Sequence, residues 1–306
     1  MSELRDPMQD LPVKLFTMFL RNRFLSLLVS GVTLLSVPFF LSACGKKQAT
    51  TDCEQIQVRS GKRDLTVGYI APTSGIFGIG DESLLVVYLH GLGANWQQPF
   101  SLPWRHTYAD TVTHFKPGIT FMSTQFGAGG KWADEDSSND ITNSINAILK
   151  KYPSRDIVLC GCSMGASTAL SYAATAPEEI RRKIIGVIAM YPAGDFVELH
   201  EKTTTALVRS ALEQCFGGPP DTEEIKQRYL DMSIMPKIEK FPKQTRVYMM
   251  SAKADATIPP PLQKSLAEAL KKQGVKVELE EIDCGHELPP SHKSFAKGLN
   301  FVLTKE

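Results

Sequence analysis

The feature that most limits what this chain can fold into is a short apolar run, Asp156 to Cys160, that empties into Gly161-Cys162-Ser163-Met164-Gly165 and then into the small helix formers Ala166 to Ala174. A strand must hand over to a helix across one tight turn, and the glycines let that turn be sharp enough to lift the Ser163 hydroxyl above a sheet. The N–H of Met164 then points to where an oxyanion would form during attack on a carbonyl. Ser163 reads as a candidate nucleophile. The bland alternative is chance, since Gly-Xaa-Ser-Xaa-Gly matches are common; the strand before and the helix after set this one apart.

The rest of the chain fits that reading. With 306 residues, 42% of them hydrophobic and 22% charged, it can bury the core of one globular domain. Leu84 to Leu89 is a continuous apolar run that ends in His90-Gly91-Leu92-Gly93, and further strand-like runs lie at Ile119 to Ser123, Lys183 to Met190, Thr245 to Met250 and Lys276 to Ile282. Helical patterns alternate with them at Ile141 to Lys150, from Pro261 and from Ser291. The expected class is therefore α/β, a mostly parallel central sheet with helices on both faces. Asp64 to Ile70 suggests an entry hairpin and Gly75 to Asp81 a loop whose glycines do not match a dinucleotide fingerprint. Between Asp195 and Gln244 the strand rhythm stops. Helical runs at Ala206 to Cys215 and Glu223 to Met232 predict a small helical lid there, or an ordinary connection packed on the sheet edge.

A net charge of +1 without a long basic stretch sets nucleic-acid partners aside. Cys160 and Cys162 have no matching His or Cys pair at metal spacing, so no metal is expected, and acyl transfer through a serine needs no cofactor.

A serine hydroxyl needs a base, and a histidine near neutrality is the usual one. His286, just beyond the last strand-like run, is the candidate; His90, His106, His114, His200 and His292 read as loop, surface or helix-face residues. The acid that orients the imidazole should stand at a strand end. Asp255, following Thr245 to Met250, fits best, with Asp195 as runner-up and Asp283 behind it. Trp96 and Trp132 lie near the same end of the expected sheet and are candidates to line a substrate pocket or, alternatively, to pack loops.

Together the Ser163 turn, Asp255, Gly285-His286 and His90-Gly91 resemble the α/β-hydrolase superfamily, from about Asp64 to the C-terminus. Within it, His90-Gly91-Leu92-Gly93 with Trp96 nearby is similar to small carboxylesterases, acyl-protein thioesterases and dienelactone-hydrolase-like enzymes. The resemblance implies an oxyanion hole built from N–H groups at Leu92 and Met164, with His90 shaping the loop. It implies cleavage of a small carboxylic ester or thioester through an acyl-enzyme. A peptidase similar to prolyl oligopeptidases, and an inactive fold serving as a tethered binding or scaffold protein, stay open as alternatives. Tannases and feruloyl esterases also resemble the chain in carrying a cysteine beside the serine bonded to one beside the histidine; by that analogy Cys162 would pair with Cys284, although Cys284 stands two residues before His286 and two buried free thiols are the alternative.

The N-terminus differs in character. Arg21 and Arg23 precede the uncharged segment from Phe24 to Ala43, and Leu41-Ser42-Ala43-Cys44 resembles the lipobox of bacterial lipoproteins. Residues 1–43 are expected to be a signal peptide or an uncleaved anchor, Cys44 a lipidation site, 44–55 a tether and 56–306 the catalytic domain. The address this implies is the bacterial cell envelope, membrane-anchored and outside the cytoplasm.

Overall fold

A computed structural model describes residues 49–72, 83–102, 106–115, 118–127, 131–288 and 292–304. The expectations for 1–43, for Cys44 and for the loop from Gly75 to Asp81 lie outside these residues. No helix among the described residues is long and apolar enough to cross a membrane.

Among the described residues ten strands follow in chain order: β1 (Ala49–Thr50), β2 (Glu54–Ser60), β3 (Arg63–Ile70), β4 (Leu84–Leu89), β5 (Ser101–Leu102), β6 (Ile119–Thr124), β7 (Asp156–Cys162), β8 (Ile184–Met190), β9 (Arg246–Ala252) and β10 (Val277–Ile282). Eight form the main sheet in the order β10-β9-β8-β7-β4-β6-β3-β2. From β10 to β6 every neighbouring pair is parallel, while β3 pairs antiparallel with β6 and β2 antiparallel with β3. The sheet is thus α/β and mostly parallel, with the expected hairpin on one edge.

Alternation along the strands makes two cores. Val87, Leu89, Leu159, Val187, Ala189, Val247 and Met249 face one way, against the helices Glu135–Lys151, Met164–Thr175 and Pro260–Lys272. Val86, Tyr88, Val158, Cys160, Ile188, Met190, Tyr248 and Met250 face the other, against Tyr108–Phe115 and His292–Leu303. Strands covered on both faces must be apolar at every position, which is why the residues of β4 are all buried. The edge strands β2 and β10 carry charges instead, which discourages pairing with another sheet.

That edge chemistry corrects the expected tether. Glu54 already pairs with Tyr69, β1 pairs antiparallel with β5, and the Thr51 N–H donates to the Phe100 carbonyl at 2.9 Å. A polar edge strand with few buried positions looks like a linker in sequence, so the fold begins earlier than residue 56.

Between β8 and β9 the chain forms the helices Phe196–Lys202, Ala206–Phe216 and Glu223–Met232 and a 3-10 turn at Met235–Lys240. This is the helical insertion expected there. It shares the first core: Phe196 stacks on Phe216 at 6.0 Å between ring centroids, Phe216 lies 4.5 Å from Tyr229, and Ser171 of the helix Met164–Thr175 donates to the Met232 carbonyl at 3.1 Å.

Candidate active site

β4 and β7 are adjacent at the place where strand order reverses, since β6 lies to one side and β8, β9 and β10 to the other. Loops leaving the carboxyl ends of strands at such a point diverge and leave a crevice. The loop after β4 and the turn after β7 open there.

The geometry of that turn explains both of its glycines. A Cβ on Gly165 would come within 2.0 Å of the Leu89 carbonyl oxygen and 2.6 Å of that of His90; one on Gly161 would meet Gly165 backbone atoms at 2.6 Å. Ser163 itself sits at φ 56° and ψ −118°, a conformation L residues rarely adopt, which costs on the order of 1–3 kcal/mol. Surrounding bonds hold it there. Its N–H donates to the Met190 carbonyl at 2.8 Å, and its carbonyl accepts from the Ser167 N–H at 3.0 Å.

Asp255 and His286 are brought to this serine by the loops after β9 and β10, which are tied together by bonds from Lys253 N–H to the Ile282 carbonyl (2.9 Å) and from Ala254 N–H to the Cys284 carbonyl (3.0 Å). His286 Nε2 lies 2.8 Å from Ser163 Oγ, and its Nδ1 lies 2.7 Å from Asp255 Oδ2. The serine hydroxyl can therefore donate to Nε2 while Nδ1–H donates to the carboxylate. The Asp255 side chain is fully buried, and burying a carboxyl group is costly unless its oxygens find hydrogen-bond donors. It has them. Oδ1 accepts from the Thr257 N–H (2.9 Å) and the Ile258 N–H (2.8 Å), and Oδ2 accepts from Gln263 Nε2 at 3.0 Å as well as from His286.

The sequence reading missed Gln263. It belongs to the buried stripe Gln263, Leu266, Ala267 and Leu270 of the helix Pro260–Lys272, and a polar residue on an apolar stripe was the available signal.

The other acid candidates are spoken for. Asp195 caps the helix Phe196–Lys202, its Oδ1 accepting from the N–H groups of Val197 (2.8 Å) and Glu198 (3.1 Å). Asp283 is 84% exposed and pairs with Lys253 at 2.8 Å.

The loop after β4 lies against the serine turn: a Cβ added at Gly91 would be 3.4 Å from the Cys162 carbonyl oxygen and 3.9 Å from Ser163 Cβ. Gln98 fixes that loop, its Oε1 accepting from the Gly91 N–H (3.0 Å) and the Tyr88 hydroxyl (3.2 Å). His90 is buried, its Nδ1 3.0 Å from the Gly91 carbonyl and its ring 4.6 Å from Phe126; burial lowers its pKa, so it stays neutral. Among the described residues neither the Leu92 N–H nor the Met164 N–H has a hydrogen-bond acceptor. Met164 is the first residue of its helix, whose N–H groups carry partial positive charge.

Two expectations need correcting. Trp132 has no exposed surface and packs edge-on against Phe196 at 5.5 Å, so it belongs to the core under the insertion and offers nothing to a ligand. Trp96 is half-buried, lying on Gly68 of β3 and edge-on to Phe100 at 6.1 Å. Nor are Cys162 and Cys284 bonded to each other. Both are free thiols, and Cys284 Sγ instead lies 3.3 Å from the Tyr191 hydroxyl. Burial pushes the Cys162 thiol up to about 12 and also raises that of Cys284, so neither is a thiolate that would compete with Ser163. Among the described residues no group of three or more His, Cys, Asp or Glu side chains is arranged to hold a metal ion.

Comparison with known proteins places the fold. A family model described as alpha/beta hydrolase fold matches residues 86–287. No curated protein matches the chain. Among solved structures, a fungal esterase from Rhizomucor miehei is 15% identical over 84% of this chain and 85% of that one, with a TM-score of 0.62. The acylaminoacyl peptidase of Pyrococcus horikoshii is 14% identical over 82% of this chain (TM-score 0.62), and a puromycin hydrolase 18% identical over 81% (TM-score 0.63). This chain spans 40% of the length of that peptidase and 38% of that hydrolase. At such identities the likeness is one of fold.

Proposed function

The chain belongs to the alpha/beta hydrolase fold family, and from that premise we propose that it is a serine hydrolase cleaving a carboxylic ester or thioester through an acyl-enzyme. One observation carries the reading: the unbroken hydrogen-bonded line from Asp255 Oδ2 through His286 to Ser163 Oγ, at 2.7 and 2.8 Å, ending on a strained turn. His286 removes the Ser163 proton as the oxygen attacks the substrate carbonyl, and Asp255 stabilises the imidazolium that forms. The N–H groups of Leu92 and Met164 receive the oxyanion, each worth about 3–4 kcal/mol in the transition state. His286 then returns the proton to the departing alcohol or thiol, and the same base activates water to release the acid.

A fluorophosphonate probe tests the reaction class. It should label the wild type and miss Ser163→Ala, whose turnover should fall by a factor on the order of 10⁶. A folded wild type that takes no label would sink the proposal in favour of an inactive scaffold. Esters of graded acyl length, thioesters and peptides then sort the substrate, and faster turnover of peptides than of every ester would favour a peptidase. The esterase neighbour of matching length supports the ester arm.

For the N-terminus the proposal is a lipid tether at Cys44, resting on the uncharged run from Phe24 to Ala43 and the small residues before the cysteine. In a bacterial host, radiolabelled palmitate should mark the wild type and not Cys44→Ser; equal marking of both would rule the site out.

A further inference from the structure

We infer that Gln263 is a positioning residue for the Asp255–His286 pair, setting which lone pair of Asp255 Oδ2 the imidazole receives and limiting how basic that oxygen is; this rests on the serine-hydrolase reading above. Three observations meet at this side chain. Gln263 is completely buried, and its Nε2 stands 3.0 Å from Asp255 Oδ2 and 2.5 Å from the Ile258 carbonyl oxygen. Both neighbours are acceptors, so the amide has only one workable orientation: a flip would set Oε1 against a carboxylate and a carbonyl. Meanwhile Oε1 is buried with no partner among the described residues. A buried polar side chain kept for fold stability alone would be expected to satisfy both ends, and this one satisfies only the end that faces Asp255.

The point of contact is what gives the bond its consequence. The two backbone donors, Thr257 and Ile258, occupy Oδ1. Gln263 is the donor that shares Oδ2 with His286. It therefore stops the carboxylate from rotating about its Cβ–Cγ bond and draws electron density from the oxygen that stabilises the imidazolium. Removing it leaves an Oδ2 that is less fixed and more basic. A more basic partner favours the protonated imidazole, so the pH below which the base is lost moves upward.

The other titratable groups facing the pair are Cys162 at the end of β7, Tyr191 after β8, whose ring is 6.0 Å from His286, and Cys284, Asp283 and Glu287 beside the histidine. Burial raises both thiols and the Tyr191 phenol, and Asp283 and Glu287 are common to wild type and variants, so they cancel in a comparison.

Gln263→Met and Gln263→Glu test the assignment on the full chain, with an ester that the wild type turns over. Gln263→Met keeps the length and removes the donor. Its kcat should fall about tenfold with KM unchanged, short of the hundredfold that an ångström of misplacement can cost, and the acid limb of kcat/KM should move to higher pH. Gln263→Glu restores a donor toward Oδ2 only while its own carboxyl is protonated. Its activity relative to wild type at the same pH should thus be greatest at the acid end and decline as pH rises, a slope that a loosened fold does not produce. A wild-type acid limb in Gln263→Met, or a flat activity ratio in Gln263→Glu, overturns the inference; should Gln263→Met not fold, the Gln263→Glu ratio decides alone. Fluorophosphonate labelling separates this failure from that of the premise, because an unlabelled wild type removes the serine-hydrolase reading, whereas a labelled wild type with unmoved variants removes only the role of Gln263.

Discussion

The exits of β8 and β9 start alike and end differently. Each strand is followed within a few residues by an aspartate, and in each case Oδ1 accepts from the N–H groups two and three residues on: Val197 and Glu198 for Asp195, Thr257 and Ile258 for Asp255. This is the same local device, a side chain standing in for a turn of backbone. The difference lies at the second oxygen. That of Asp255 meets Gln263 from a helix and His286 from the loop after β10, whereas Asp195 leads into an insertion held by apolar rings, Phe196 on Trp132 and Phe216. Local sequence sets the turn; partners distant in sequence decide whether the turn carries chemistry.

The comparison breaks hardest at Asp255. Asp255→Asn keeps an acceptor for Thr257 and Ile258, yet it removes the charge opposite His286 and favours the wrong tautomer. Turnover should drop by a factor on the order of 10⁴, equivalent to about 5 kcal/mol in the barrier, with the fold retained by circular dichroism. A loss under tenfold would mean that Asp255 only caps its turn, as Asp195 does.

Next in size is the apolar support of the other exit. Trp132→Ala empties a fully buried site against Phe196 and should cost about 3–5 kcal/mol of stability by denaturant titration, while kcat of the folded fraction stays at the wild-type value. A changed acyl-chain preference without loss of stability would instead restore Trp132 to the substrate pocket.

These two experiments also mark what could be read from sequence. The strands β4, β7, β8 and β9 are legible because burial on both faces forces continuous apolar runs, and Ser163 and Asp255 because each follows such a run by a few residues, whereas His286 follows the charged edge strand β10 and is legible from its place after the acid in chain order. Where burial is one-sided the reading weakens: the first two residues of β2, Glu54 and Gln55, fall in the expected tether, and the helix Glu135–Lys151 is expected only from Ile141 because its first turns are polar, although Asp134 caps it. Trp132 and Gln263 escaped for a different reason. Whether an indole lies in a core or a cleft, and whether a glutamine on a buried stripe meets a carboxylate, depends on elements far apart in the chain.

Asp195→Ala should cost about 1 kcal/mol, since it deletes a helix N-cap and nothing else, and kcat should be unaffected. A fall in kcat comparable to that of Asp255→Asn would reverse the assignment of the two exits.

The smallest effect belongs to the third acid. Asp283 stands next to the loop that carries His286, close enough in sequence to have been a candidate, but its carboxylate is 84% exposed and its partner Lys253 is half-exposed. An ion pair open to water gains little from Coulomb attraction and loses side-chain freedom in forming. Asp283→Asn should therefore leave both the denaturation midpoint and kcat at wild-type values. A tenfold loss of kcat would show that the tie between the β9 and β10 exits depends on this pair, and not on the two backbone bonds from Lys253 and Ala254 that already join them.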